Sequence, residues 1–293
     1  MRQMHDTEAM VMLKRVSRSF YLSVRILPRP MRRGVCIGYL LARASDTLAD
    51  AQEDPGLLHA FQAALDAGGG WIPCRHPPGT AGEQHLLANL NPVIAAMHAL
   101  PDAEAALVRE VVGTILSGQM IDMRRFAGAD ARRVVSLADD DELEDYTWRV
   151  AGCVGRFWTR LGFATLGDRF SRMPPAELEA LGVRFGNGLQ LVNILRDAGE
   201  DLANGRCYLP SCRDVWLARA RECMDAGMAY AAAMRMTRLD VAVALPARIG
   251  IDTLGLLEVA GEGAARDRVK MSRRQVWRHL FCGWKSSLSR RFR

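Results

Sequence analysis

The sequence predicts an all-α protein. Apolar residues recur at spacings of three and four along nearly all of its 293 residues, and no run alternates apolar and polar residues as a β-strand does. Prolines and one stretch rich in glycine and proline interrupt this pattern at intervals. The predicted helices, in order, are 7–26, 31–52, 56–66, 82–99, 102–126, 139–165, 175–203, 213–236, 239–260 and 272–288.

Proline and glycine set most of the boundaries between these helices. Pro28 and Pro30 separate the first two, and Pro101 and Pro210 fall between later ones. The segment 67–81, AGGGWIPCRHPPGTA, cannot extend a helix. A linker between domains is one interpretation, but the helix before it is too short to fold alone, so we predict a surface loop inside one domain.

The composition is that of a soluble globular protein. With 49% apolar and 25% charged residues, it excludes disordered, collagen-like and disulfide-stapled chains. The seven cysteines include no CxxC pair, which favours reduced thiols in the cytosol. The sequence contains neither the apolar core of a signal peptide nor an uncharged apolar run of about 18 residues. We therefore expect a cytoplasmic protein without a transmembrane segment.

The positive charge is concentrated at the C-terminus. Residues 266–293 carry ten basic side chains against Asp267 alone, a net +9, so the remainder is net −3 within a total of +6. A body without a basic stripe disfavours nucleic acid as a partner. We predict one domain over 1–280 and a basic tail over 281–293. Its mixture of aromatic and basic residues favours peripheral contact with the inner membrane surface, with simple solvation as the alternative.

The segment YLLARASDTLAD predicts a polar stripe along one helix. Tyr39, Arg43, Asp46 and Asp50 follow one another at i, i+4, i+7 and i+11, which places them on one face. Two carboxylates four residues apart repel each other, so this pair does not serve helix stability. A solvated acidic face is the alternative explanation of this segment taken alone.

The segment QLVNILRDAGEDLANGRCYLP repeats this arrangement. Gln190, Asn193, Asp197 and Asp201 fall at i, i+3, i+7 and i+11. If the two stripes face one another, four carboxylates meet, and cations must offset their repulsion. Mg²⁺ prefers hard oxygen ligands and shares its coordination shell with phosphates. The pattern therefore predicts a magnesium-dependent diphosphate site, and two independent solvated faces are the alternative.

A third segment, YTWRVAGCVGRFWTRLG, places Gly152 and Gly155 inside a predicted helix. Each costs about 0.5–1 kcal/mol there relative to Ala, which close approach of another helix or a ligand usually offsets. Tyr146 opens this segment, and its hydroxyl reaches either a cavity or a backbone partner. In the segment SRSF, Arg18 and Ser19 form a set suited to phosphate, although ordinary helix-surface residues would look the same.

Taken together, these motifs carry a resemblance to a known family. SRSF, YLLARASDTLAD, YTWRVAGCVG and NILRDAGEDLANGRCYLP occur in an order similar to that of the squalene and phytoene synthases, the head-to-head prenyl synthases. The likeness extends from about Val11 to Arg274. It implies the single-domain isoprenoid synthase fold, with helices around a central apolar cavity in which two aspartate motifs bind Mg²⁺ and two prenyl diphosphates.

The resemblance also implies roles for individual residues. The implied metal ligands are Asp46, Asp50, Asn193, Asp197 and Asp201. The residues expected around the diphosphates are Arg18, Ser19, Tyr39, Arg43, Gln190, Asn193, Arg196 and Arg206. The expected catalytic residues are Tyr146, Arg43, Asp46 and Asp197, with Tyr146 steering a proton or stabilising a cation.

Two motifs bear on the product. DTLAD has a single leading aspartate and resembles the squalene synthases, whereas VKMSRR resembles the carotenoid branch. We therefore expect two farnesyl diphosphates to condense through a cyclopropylcarbinyl diphosphate to squalene, with Mg²⁺ and NADPH as cofactors. Phytoene or dehydrosqualene synthesis without a reductant is the alternative. A non-catalytic assembly factor of the same fold is the alternative of another class, and retention of all four aspartates argues against it.

Overall fold

The computed structural model describes residues 4–50 and 55–261, with backbone only for Arg18, Ser19 and Pro55. The all-α prediction is confirmed. The helices are α1 Asp6–Val16, α2 Arg18–Ile26, α3 Arg29–Asp50, α4 Pro55–Ala67, α5 Ala81–Ala88, α6 Leu90–His98, α7 Asp102–Arg125, α8 Asp140–Thr147, α9 Cys153–Leu166, α10 Pro175–Ala203, α11 Arg213–Ala233 and α12 Thr237–Ala260.

The described residues form two compact units. The first comprises the chain up to Met123 together with Arg160–Gly167, and the second comprises Arg124–Thr159 and the chain from Asp168 onward. In the first unit α3 packs against α1, α2, α4, α5 and α6. In the second, α10 packs against α8, α11 and α12. Each unit thus buries one helix that carries an acidic stripe, α3 or α10. The single-domain assignment over 1–280 stays a prediction.

The predicted helix 7–26 is wrong in one respect, because it divides at Ser17. This residue has extended backbone, with φ −153° and ψ 107°, and its hydroxyl accepts a hydrogen bond from the Phe20 amide at 3.3 Å. Serine is a favoured N-cap because its short side chain satisfies a first-turn N–H group. The SRSF motif therefore starts α2 instead of lying within a continuous helix. Similarly, the predicted helix 82–99 divides at Asn89 into α5 and α6.

The segment between α4 and α5 is irregular, as predicted, and lies inside the first unit. Gly68, Gly70 and Gly79 adopt positive φ, which only glycine takes without strain. Trp71 holds the segment to the unit: its indole N–H donates to the Leu87 carbonyl at 3.0 Å, and its side chain is buried. This supports the interpretation as a surface loop.

A two-stranded parallel ladder is the feature that the periodicity missed. Strand β1, Val135–Ser136, pairs with β2, Arg206–Cys207, in the second unit. Strands of two residues are too short to produce an alternating pattern, so the sequence carried no signal for them.

The predicted helix 139–165 contains a change of helix type. Residues Trp148–Gly152 form a π-helical turn between α8 and α9. Such turns are rare and frequently occur at functional sites.

The predicted helix 272–288 and the basic tail 281–293 lie outside the described residues. Within the described part of the chain, none of the helices combines the length and hydropathy needed to cross a bilayer.

Candidate active site

The first acidic stripe lies on the last turns of α3 and has an arginine at its centre. The Arg43 guanidinium donates to Asp46 Oδ2 at 3.2 Å and to the Tyr39 hydroxyl at 3.3 Å. Burial by itself lowers the pKa of Arg43, but Tyr39, Asp46 and Glu83 outweigh it and the net pKa is raised. The structure thus brings three of the predicted residues together and keeps Arg43 charged.

Two further residues complete this cluster, and sequence reasoning missed both. Gln119 on α7 donates from Nε2 to Asp46 Oδ1 at 3.4 Å. Glu83 on α5 lies with Oε1 3.8 Å from Arg43 Nη1. The motif T-x-x-E at 80–83 marks Glu83 as a helix-capping residue, but its reach to Arg43 depends on the packing of α5 against α3.

The carboxylates of this stripe disfavour each other's ionisation. Partial desolvation by the surrounding side chains, followed by the charge of Asp50, raises the pKa of Asp46 to about 6, and the neighbouring Arg43 and Gln119 offset this only in part. A divalent cation would remove this conflict because it favours the ionised form. The local electrostatics therefore suit a cation at this end of α3.

The second acidic stripe lies on α10, as predicted. Asn193 Nδ2 donates to Gln190 Oε1 at 3.4 Å, which shows that these two residues share one face. The Arg196 Nε donates to Asp197 Oδ1 at 2.9 Å, and a second, shorter contact joins Nη2 to Oδ2. This hydrogen bond raises the pKa of Arg196, and the charges of Asp197 and Asp201 add to the effect.

The two units therefore use the same local arrangement. In each, the leading aspartate of an i, i+4 acidic pair on a helix is paired with an arginine of that helix: Asp46 with Arg43, and Asp197 with Arg196. The prediction that the two stripes face each other across an apolar cavity stays a prediction.

The chain after α10 is held in place by a tight turn. Gly205 has φ +78°, and an added side chain would collide with the backbone of Asp130. The turn leads directly into β2, whose pairing with β1 fixes the backbone of Arg206. The Arg206 guanidinium lies 5.9 Å from the ring centre of Phe126, within cation–π range.

Tyr146 belongs to an aromatic cluster in the same unit. Its ring stacks on Tyr208 at 5.0 Å between centroids, and Tyr208 contacts Phe126 at 4.9 Å. Tyr146 and Arg206, both predicted site residues, are thus linked through two aromatic rings that sequence reasoning missed. Tyr208 lies within the motif CYLP, but only the fold shows that it supports Tyr146.

The glycines of the third segment mark a close helix crossing, as predicted. An added Cβ at Gly155 would overlap the Gly182 carbonyl of α10, and one at Gly152 would overlap the Asn187 side chain. The π-helical turn and the start of α9 therefore lie directly against α10. One of the contacted residues of α10, Gly182, precedes Gln190 of the acidic stripe by eight residues.

Arg18 and Ser19 occupy the first turn of α2. The first-turn N–H groups of a helix favour anions. The next residue, Phe20, stacks on Tyr39 with ring centres 4.3 Å apart, so the start of α2 lies beside the stripe of α3.

A complete metal-binding cluster is not found among the described residues: no three His, Cys, Asp or Glu side chains converge on one point. Each unit instead offers two carboxylates on one helix, and in the first unit the Oε1 atom of Gln119 is buried without a hydrogen-bond partner. This set fits Mg²⁺, which retains several waters and binds through one or two carboxylates together with substrate phosphates.

Comparison with known proteins identifies the family. The family model described as squalene/phytoene synthase matches residues 13–213. The presqualene diphosphate synthase of Zymomonas mobilis is 33% identical over 66% of this chain and 56% of its own length. That of Rhodopseudomonas palustris is 32% identical over 66% of this chain and 58% of its own length. The chain thus spans less than two thirds of the length of these curated relatives.

Solved structures share the fold. A complex of TcSQS with the ligand BPH1237 has a TM-score of 0.73 at 23% identity, covering 94% of this chain and 85% of that one. A dehydrosqualene synthase in complex with a ligand has a TM-score of 0.64 at 21% identity, covering 97% and 96%. With the family model matched across both acidic helices, the chain belongs to the squalene/phytoene synthase family, the head-to-head prenyl synthases.

Proposed function

We propose that the protein condenses two molecules of farnesyl diphosphate head to head, forming presqualene diphosphate with release of one diphosphate. The observation that carries this proposal is the repeated arginine–aspartate arrangement on α3 and α10, one in each unit. Two substrates require two diphosphate sites, and each such stripe supplies carboxylates for a metal and an arginine for the phosphate oxygens. Two presqualene diphosphate synthases among the relatives favour this product.

In this proposal the acidic residues hold magnesium ions and the arginines hold the diphosphates. Asp46 and Asp50 form one ligand pair, and Asp197 and Asp201, with Asn193, form the other. When bound, Mg²⁺ neutralises the charge that develops on the leaving diphosphate. Arg43 and Arg196 each carry five N–H donors, so they would keep their contacts with Asp46 and Asp197 and still donate hydrogen bonds to the diphosphates.

Further groups that can donate hydrogen bonds to diphosphates lie on other segments. Arg206 follows α10 directly, fixed by the β-ladder, and Arg18 and Ser19 start α2 beside Tyr39. In this proposal they complete the diphosphate sites together with Gln190. Their donors favour the product diphosphate over the intact ester because its charge is larger, which promotes ionisation of the allylic C–O bond.

Tyr146 acts on the carbocation in this proposal. Its ring stacks on Tyr208, which restrains the orientation of its hydroxyl and of its other face. In this proposal that face or the hydroxyl meets the cationic carbons. Burial of each farnesyl chain, at about 0.8 kcal/mol per CH₂-sized group, supplies on the order of 10 kcal/mol to hold the chains in register. The proton lost on closing the cyclopropane ring goes to the released diphosphate, either directly or through the Tyr146 hydroxyl, which takes it up while passing its own proton to a diphosphate oxygen.

Complete conversion to squalene is the second candidate. The single leading aspartate of DTLAD favours it, since that motif resembles the squalene synthases. Presqualene diphosphate would then ionise a second time, and a hydride from NADPH would quench the rearranged cation. A phytoene synthase also occurs among the relatives. Synthesis of phytoene or dehydrosqualene without a reductant is therefore the third candidate.

One incubation separates these candidates. The purified full chain is incubated with farnesyl diphosphate and Mg²⁺, with and without NADPH, and diphosphate release and the lipid product are measured. We expect presqualene diphosphate under both conditions. Squalene formed only with NADPH would establish the second candidate, dehydrosqualene would establish the reductant-free one, and no diphosphate release would refute the enzymatic proposal.

Substitution of one aspartate in each stripe tests the site. Asp46→Asn and Asp197→Asn should each lower turnover by at least about 100-fold while the fold is retained, because a metal ligand is lost and no core packing is removed. Asp66→Asn is the matched control: Asp66 also accepts a glutamine amide on a helix of the first unit, at 3.1 Å, but lies outside the stripe. Normal turnover in Asp46→Asn would contradict the proposed ligand set.

For the basic tail 281–293 we propose peripheral contact with anionic lipid at the inner membrane surface, where an apolar product leaves the enzyme. Truncation after Arg278 should abolish partition onto vesicles containing phosphatidylglycerol. Unchanged partition would refute this contact.

A further inference from the structure

Gln119 occupies an unusual position for an amide side chain. It lies on α7 and is 8% exposed, and its Nε2 donates to Asp46 Oδ1. The other amide atom, Oε1, is buried and has no hydrogen-bond partner among the described residues. A buried carbonyl-type oxygen without a donor has lost its hydrogen bonds with water and gained none in return, which destabilises the fold. The stability of the fold by itself therefore does not explain why an amide side chain occupies this position.

The surrounding side chains explain why no protein donor reaches this oxygen. Asp46 and Asp50 are acceptors when ionised. Arg43, the nearest cation of the cluster, is engaged by Asp46 Oδ2, by the Tyr39 hydroxyl and by Glu83. A donor for Gln119 Oε1 must therefore come from a water or a ligand.

Asp46 is held on both of its oxygen atoms. Gln119 contacts Oδ1 from α7, and Arg43 contacts Oδ2 from α3 itself. Arg43 is in turn restrained by Glu83, whose other oxygen accepts hydrogen bonds at 2.8 Å from the amide and the hydroxyl of Thr80. The carboxylate thus has a fixed orientation, which is the usual role of residues that support metal ligands.

We propose that Gln119 is a positioning residue for the first magnesium site: its amide nitrogen orients Asp46, and its Oε1 accepts a hydrogen bond from a water of the ion's hydration shell. A primary amide suits both tasks because it donates from one end and accepts at the other. Mg²⁺ retains several waters, each of which is a strong donor. This inference rests on the proposed function only in taking Mg²⁺ as the bound ion.

The test measures magnesium affinity and activity separately. Isothermal titration calorimetry of the full chain with Mg²⁺, in the presence of inorganic diphosphate, compares the wild type with Gln119→Met, which keeps the side-chain length and removes the amide. We expect magnesium binding at least about tenfold weaker, as is typical when a residue that orients a metal ligand is lost. Turnover should recover toward wild type as Mg²⁺ is raised, since the ligands themselves remain.

Gln62→Met is the matched control. Gln62 donates to both oxygens of Asp66 at 3.1 Å on α4, so this variant also removes an amide–carboxylate pair from the first unit. It should bind Mg²⁺ as the wild type does. Gln119→Asn, which keeps the amide but shortens the side chain, is the second variant and decides the question if Gln119→Met does not fold by circular dichroism; it too should lose affinity.

The outcomes separate the two proposals. Magnesium affinity within twofold of wild type in the Gln119 variants, or an equal loss in Gln62→Met, would overturn the role of Gln119 and leave the proposed function standing. If the wild type bound no Mg²⁺ with inorganic diphosphate, both would fall.

Discussion

Gly182→Ala should destabilise the second unit, although alanine is the better helix former. An added Cβ at Gly182 of α10 would lie 2.8 Å from Thr159 Oγ1, 2.9 Å from the Gly155 carbonyl oxygen and 3.1 Å from a ring carbon of Tyr230. Carbon–oxygen contacts normally lie at about 3.3–3.6 Å. The helices must therefore separate by about 0.5 Å, or a buried hydrogen-bonded pair must shift.

The two opposing effects can be compared in magnitude. Replacing glycine within a helix gains about 0.5–1 kcal/mol. Overpacking a close crossing costs about 1–3 kcal/mol, and here two of the three neighbours are backbone or hydrogen-bonded groups that move little. We expect a net loss of about 1–2 kcal/mol, which corresponds to a fall in Tm of about 3–6 °C.

The assay is thermal unfolding of the metal-free protein followed by circular dichroism at 222 nm. Gly255→Ala is the control, because this glycine lies within α12 of the same unit and an added Cβ would contact nothing within 4 Å. It should raise Tm by about 1–3 °C. Gly155→Ala, whose Cβ would overlap the Gly182 carbonyl, should lower Tm more than Gly182→Ala does. If Gly182→Ala matched or exceeded the wild-type Tm, the close crossing would be refuted.

Three further predictions follow from burial and charge. Asp46→Asn should stabilise the metal-free protein at pH 8, because the pKa of Asp46 is raised from 3.8 to about 6 in the folded state. Because protonated Asp46 is favoured in the folded state, Asp46 contributes to the stability of the wild type below pH 3.8, and this contribution is lost as the pH rises through 6. The stability gained by Asp46→Asn over the wild type should therefore vanish near pH 4. The full pKa shift corresponds to about 3 kcal/mol in the free energy of unfolding. Because the Asp46 side chain is 52% exposed, solvent screening reduces this, and we expect a gain of about 1 kcal/mol for Asp46→Asn, measured by urea titration. Alkylation mapped by mass spectrometry should modify exposed Cys212 well before Cys36, whose thiol is buried with its pKa raised to about 12. Thr159→Val should cost about 1–3 kcal/mol, because it leaves the Tyr230 hydroxyl buried without its partner at 2.9 Å, whereas Tyr230→Phe should cost less, because Thr159 still donates to a carbonyl.

Each of these has a clear contrary result. Lower stability of Asp46→Asn at pH 8 would show that the Arg43 ion pair outweighs the repulsion by Asp50. Equal alkylation rates of the two cysteines would contradict the burial of α3. The prediction takes the Tyr230 hydroxyl as the donor to Thr159, since Thr159 already donates to the Gly155 carbonyl. A larger loss of stability in Tyr230→Phe than in Thr159→Val would contradict this direction.

Local sequence patterns were sufficient to predict most helices and the two acidic stripes. The stripes are set by a 3.6-residue period, so Arg43 and Asp46, or Gln190 and Asn193, must be neighbours wherever their helix lies. The glycine pair at 152 and 155 likewise carried its own signal, since glycine inside a helix is unfavourable without a close neighbour.

Capping and short-range pairing limited the prediction of boundaries. Ser17 divides one predicted helix because its hydroxyl caps α2, and apolar periodicity continues across such a break. The β-ladder that fixes Arg206 consists of two residues in each strand, too few to form a pattern.

The sequence by itself determined the fold class, the acidic stripes and the family, because all three depend on residues close together in the chain. Only the tertiary structure decided which side chains support them. Gln119 lies 73 residues from Asp46, and Tyr208 lies far along the chain from the Tyr146 ring on which it stacks. Such contacts depend on how helices pack against one another, and no local period encodes the position of a neighbour on another helix.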